Sequence, residues 1–188
     1  MKKPPLDGVT RQPPALRRAY FDCRHGQLHV HQAIPAGGGF DERVSLLCLP
    51  AIADTGAVFA PLMSLLGIDR SIYALDLPGS GLSDPVGGAV EAAAIAGAIV
   101  DFLGNMRIRS ADVLLAAQSL PVVRELRMQA GSRLRRVIVL GGDDAALAAL
   151  RAAGVDGQRI AGEVRALMAG DVEAEKFAGA LRRLLDAG

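Results

Sequence analysis

The chain has 188 residues, 51% of them hydrophobic, and that length and apolar content fit one domain with a full core. Its 21 basic and 20 acidic residues leave a formal net charge of +1, which excludes the one-signed field that gathers nucleic acid or an anionic membrane surface. Arg, Asp or Gly breaks every apolar run before it reaches the ~20 residues of a membrane span.

The first segment, MKKPPLDGVTRQPP, has prolines and polar residues where a signal peptide needs an apolar stretch. Residues 1–17 are therefore read as a flexible arm, residues 18–188 as one domain, and the protein as cytoplasmic. RAYFDCRHGQLHVHQAI holds two alternating extended segments around His25-Gly26, the pattern of an antiparallel hairpin. RVSLLCLP (43–50) and SIYALDLPG (71–79) are short apolar runs closed by Pro or Gly, with a helix-length segment, IADTGAVFAPLMSLLG, between them. Next, VEAAAIAGAIVDFLGNM (90–106) places Ile95, Ile99, Phe102 and Leu103 on one helical face ahead of the strand ADVLLAAQS. PVVRELRMQAG (121–131) reads as a helix with proline in its first turn, followed by the buried strand RRVIVLGG (135–142).

Strand and helix thus alternate, which predicts a mostly parallel sheet of about six strands with helices on both faces and an antiparallel N-terminal hairpin. After Gly142 the segments DDAALAALRAAG, RIAGEVRALMAG and DVEAEKFAGALRRLLDAG all have helical period, so a helical C-terminus (143–188) is expected in place of further strands. The sheet is then expected to end at RRVIVLGG, its edge covered either by those helices or by a second copy of the chain. A stripe of Ile160, Val164, Leu167, Met168, Phe177, Leu181 and Leu185 is expected to provide the cover. Cys23 and Cys48 lack C-x-x-C or metal-ligand spacing and are read as buried free thiols.

The most specific stretch is ALDLPGSGLSDP (74–85). It resembles the D-x-P-G-x-G-x-S-x-P segment that follows the fourth strand of α/β-hydrolases, and the element order of residues 18–142 resembles theirs, including strand order 1-2-4-3-5-6. The resemblance implies a nucleophile at Ser119, on a tight turn after the strand 112–118 and facing a depression lined by Leu49, Pro50, Ala51, Leu120 and Asp143. The family's G-x-S-x-G glycines are here Ala117 and Pro121, and CLPAIADTG stands where relatives carry His-Gly. Backbone N–H groups of Ala51 and Leu120 are the oxyanion-hole candidates, and Asp143 is the candidate acid, or else the N-cap of the next helix. Asp54 is read as a cap for the helix that follows it. Asp76, by its family position, is read as a loop ligand of backbone N–H groups.

The family delivers its histidine downstream of the nucleophile, but His25, His29 and His31 are the only histidines and all lie in the hairpin. A serine hydroxyl without a base in reach is a poor nucleophile. His29 and His31 sit two apart on one strand face, yet no third ligand is evident, and neither metal nor cofactor is expected. The resulting expectation is a truncated hydrolase relative without a complete triad, a pseudo-hydrolase that binds a small acyl- or ester-type ligand or a protein partner, as a monomer or homodimer. The alternatives are a serine esterase or thioesterase that draws a base for Ser119 from a partner chain, and a structural assembly protein.

Overall fold

The computed structural model describes residues 12–37, 43–152, 154–155, 157–160 and 171–187. Seven strands form one sheet: β1 (Ala15–Cys23), β2 (Gly26–Ile34), β3 (Arg43–Leu49), β4 (Arg70–Leu75), β5 (Ala111–Ala116), β6 (Leu134–Leu140) and β7 (Gly157–Ile160), in the order β1-β2-β4-β3-β5-β6-β7. β1 and β2 pair antiparallel, as do β2 and β4, and every later pairing is parallel. The expected order therefore holds through β6. β1 begins at Ala15, so the last residues assigned to the flexible arm belong to the sheet.

Five helices among the described residues cover the two faces: α1 (Ala60–Leu66), α2 (Ala92–Asn105), α3 (Leu120–Ala130), α4 (Asp144–Ala152) and α5 (Asp171–Asp186). The central strands β4 and β5 are buried throughout their length, which is why their sequences run apolar without alternation. On one face Ile95, Ile99 and Phe102 of α2 and Val122, Val123 and Leu126 of α3 pack on Leu47, Leu75, Val113 and Val139. On the other, Leu62 and Leu66 of α1 and Phe177, Leu181 and Leu185 of α5 pack on Leu46, Ile72, Leu114 and Ile138. α2 ends in a Schellman motif: Ile108 N–H donates to the Leu103 carbonyl and Arg107 N–H to that of Gly104, with Arg107 in the left-handed region at φ 53°.

Two expectations about the C-terminal part fail. β6 is not the sheet edge, because β7 pairs with it from Val137↔Gly157 to Leu140↔Ile160; Ile160 belongs to this strand, not to a helix. α5 covers a sheet face, not the edge, and among the described residues the edge strand is β7, four residues long. Val164, Leu167 and Met168 of the expected stripe lie outside the described residues, whereas Phe177, Leu181 and Leu185 are buried as expected.

The C-terminal turn of α5 is held by arginines from the sheet. Arg136 donates to the Leu184 and Ala187 carbonyls at 2.5 and 2.6 Å, and Arg135 to Leu185 at 3.3 Å. Arg70 reaches Asp186 at 2.8 Å while Arg43 pairs with the other oxygen of that carboxylate. Cations at the end of a helix satisfy its orphan carbonyls and its dipole together.

Candidate functional site

Ser119 lies where strand β5 gives way to helix α3, at the carboxyl end of the sheet, as the sequence predicts. The strand stops at Ala116, two residues earlier than expected, and a 3-10 turn carries the chain from Ala117 to Ser119. Ser119 has φ −93° and ψ 8°, in the sparsely populated bridge region. Its side chain turns inward. Ser119 is fully buried, at 0% exposure, and its Oγ donates to the Pro50 carbonyl at 2.5 Å. The expectation that Ser119 faces a depression lined by Leu49 and Pro50 is thus corrected, since both of those residues are buried as well.

The oxyanion candidates fare differently. Leu120 N–H donates to the Ala117 carbonyl within the 3-10 turn. Ala51 opens a tight turn in which Asp54 N–H donates to its carbonyl at 2.9 Å, with Ala53 at φ 79°. Asp143 accepts from Ala146 N–H at 3.0 Å and so caps α4. What lies open near these residues is a groove between α3 and α4. It comprises adjoining depressions of about 460 and 560 Å³ that share Leu120 and Ala149, with Gln118 and Asp143 at one end and Arg124 at the other. In the sheet, β4 and β3 separate the histidine-bearing strand β2 from β5.

Asp76, just beyond β4, is the polar centre of this end of the molecule. Its Oδ1 accepts from Gly56 N–H at 2.7 Å and its Oδ2 from Leu82 N–H at 3.0 Å. The loop-ligand reading is therefore observed, and it is Asp76, not Asp54, that serves the first turn after the β3 loop. His29 Nδ1 lies 2.8 Å from Oδ2, and His31 Nε2 lies 3.4 Å from Oδ1. Ser83 Oγ donates to the Asp76 carbonyl at 2.6 Å and accepts from His29 N–H, while Asp84 accepts from Gln27 N–H. The ALDLPGSGLSDP stretch thus buckles the hairpin, the β3 loop and β4 together. Burial pushes the Asp76 carboxyl up, but the Leu82, Gly56 and His29 hydrogen bonds outweigh it and hold it below the ordinary carboxylate value; burial also pushes His31 down.

The H-x-H of β2 is visible in the sequence but its carboxylate is not, because only the pairing of β2 with β4 sets His31 opposite Ala74 and His29 beside Asp76. Among the described residues no helix is long and apolar enough to cross a membrane; Cys23 and Cys48 are both free thiols, Cys48 buried as expected and Cys23 only half-buried at the end of β1.

No protein-family model and no curated relative matches the sequence. The backbone, by contrast, superposes on solved structures. Epoxide hydrolase CorEH matches with TM-score 0.59 at 13% identity, over 67% of this chain and 42% of that one. Carboxylesterase CesB (YbfK) from Bacillus subtilis matches with TM-score 0.58 at 19% identity, over 67% and 43%. The N-acyl homoserine lactonase AidH matches with TM-score 0.58 at 21% identity, over 67% and 45%. This chain has the α/β-hydrolase fold. At these identities the likeness concerns the fold alone, and the matched part spans less than half the length of each of these three hydrolases. Within that fold, the serine at the turn from β5 to α3 faces inward.

Proposed function

We propose that this chain is an α/β-hydrolase-fold protein without hydrolase chemistry of its own, which binds a small acyl- or ester-type ligand in the groove between α3 and α4. One observation carries the reading: Ser119 has 0% exposure and its hydroxyl donates a hydrogen bond to the Pro50 carbonyl. A nucleophile must instead present a lone pair to substrate and its proton to a base. A base supplied by a partner chain meets the same obstacle, because the residues on Ser119 would have to move before it could enter. The groove offers apolar wall from Leu120, Pro121, Ala149 and Leu150, and Arg124 beside it, a pairing suited to an acyl chain that ends in a polar or anionic group.

The test is labelling of the folded protein by a fluorophosphonate probe, alongside hydrolysis of short p-nitrophenyl esters by the parent and a Ser119→Ala variant. The expected result is no labelling and equal, background-level rates. Labelling at Ser119, or turnover that the variant loses, would overturn the non-catalytic reading. Binding in the groove is read separately, by titrating a medium-chain fatty acid against the parent and an Arg124→Glu variant. Weaker binding by the variant supports the ligand assignment; no binding to either, or equal binding to both, refutes it.

A further inference from the structure

We propose that His29, His31 and Asp76 form a binding site for a borderline divalent cation, Zn²⁺ by its ligand preferences. Each residue offers one donor atom, and the three atoms lie within 4.8 Å of one another. Two imidazoles and a carboxylate are a ligand set such ions take, with about 2.0–2.2 Å from metal to each donor and hence about 3.3 Å between donors. His29 Nδ1 lies 2.8 Å from Oδ2 and His31 Nε2 lies 3.4 Å from Oδ1 of Asp76, while one donor from each residue brings the set within 4.8 Å. Drawing the widest pair together by up to about 1.5 Å through side-chain rotation would admit the ion.

The carboxylate is also oriented for the task. Gly56 N–H holds Oδ1 and Leu82 N–H holds Oδ2, so each oxygen is fixed by a backbone donor while the histidines face the carboxylate. Such outer hydrogen bonds are what set ligand geometry and basicity in metal sites. The ring centroids of His29 and His31 are 4.7 Å apart at 82°, so they meet edge to face. Access comes from one side only: His29 and Asp76 side chains are 3% and 2% exposed, whereas that of His31 is 16% exposed and lines a depression of about 310 Å³ between the hairpin and α1, with Arg18, Gln32 and Met63. With both imidazoles neutral, binding balances without net proton loss: the protons that His29 Nδ1 and His31 Nε2 turn toward Asp76 move to the other nitrogen of each ring as the metal takes the freed lone pairs. Arg18, directly across from His31 in the β1–β2 register, is an opposing cation near the entrance.

The experiment uses tag-free, chelator-dialysed full chain titrated with Co²⁺ and followed by its visible d–d absorption, then competed with Zn²⁺. One equivalent should bind with a four- or five-coordinate spectrum and be displaced by Zn²⁺. His31→Ala should weaken binding by at least the ~10–100-fold that loss of an outer partner alone causes. Arg18→Gln, at an exposed position, should tighten it about threefold to tenfold by removing a like charge. Asp76→Asn is the less safe variant, since it also weakens the loop buckle, so the reading rests on the first two, both checked by circular dichroism. No stoichiometric binding to the parent, or binding unchanged in His31→Ala, or binding lost instead in His25→Ala, would each overturn the site.

Discussion

The guanidinium of Arg70, 1% exposed, reaches across 116 residues of sequence to the Asp186 carboxylate at 2.8 Å and also holds Asp69 at 3.0 Å. A buried arginine is tolerable only with its partners in place. Asp186→Asn should therefore cost about 1–3 kcal/mol, less than loss of a sole partner because Asp69 remains. Burial raises the Asp186 carboxyl, but hydrogen bonds from Arg43 and Arg70 outweigh it, leaving it below the ordinary 3.8. A carboxylate with a depressed folded pKa stabilises above its unfolded value, and that contribution is lost as pH falls. Melting curves for parent and variant should differ by a constant gap at neutral pH. The gap should close as pH falls through 3.8 towards the lower folded value.

Ser119→Ala should lower stability by about 1–2 kcal/mol while leaving ester hydrolysis unchanged, since it removes a buried donor and leaves the Pro50 carbonyl unpaired. Urea denaturation measures the first and a p-nitrophenyl acetate assay the second. A stability-neutral variant would mean that the Ser119–Pro50 bond does not hold this turn.

Ala53 sits at the third position of a turn closed by Asp54 N–H, with φ 79°. That position of a type II turn favours glycine because a Cβ is strained there. Ala53→Gly relieves about 1 kcal/mol of strain and returns part of it as unfolded-state entropy, so a net gain of about 0.5 kcal/mol is expected. Calorimetry should show the midpoint rising by about 1–2 °C.

Gly81 presents the opposite case. It has φ 55°, and a Cβ there would lie 2.2 Å from Asp76 Oδ2, an atom fixed by Leu82 and His29. Gly81→Ala should cost about 2–4 kcal/mol through overpacking and backbone strain. The amides of Gly56 and Leu82 should lose hydrogen-exchange protection together; slowed exchange at both would contradict the single-buckle account.

The alternation of Leu46–Leu49, Ile72–Leu75, Val113–Ala116 and Val137–Leu140 with amphipathic helices makes the architecture readable in the sequence. β7 escaped because its pattern buries only Ile160 fully, and one apolar residue fits a helix as well as a strand. Ser119 was located correctly in the chain but its direction was not legible, because its acceptor is a carbonyl 69 residues away. Asp76 was read as a loop ligand and its histidine neighbours as strand positions. Joining them required knowing that the second strand lies beside the fourth, an adjacency that no local spacing encodes.

The arginines that grip the end of α5 also bear on how the molecule is made. During synthesis Arg70 and Arg136 leave the ribosome long before Leu184, Asp186 and Ala187 exist to receive them, and the α1 face of the sheet emerges without Phe177, Leu181 and Leu185. Until α5 arrives, the apolar α1 face of the sheet lacks its cover, and Arg43 and Arg136 lack the acceptors that α5 provides. A stall between residues 140 and 181 should therefore lower the yield of soluble protein more than one of equal length before β5.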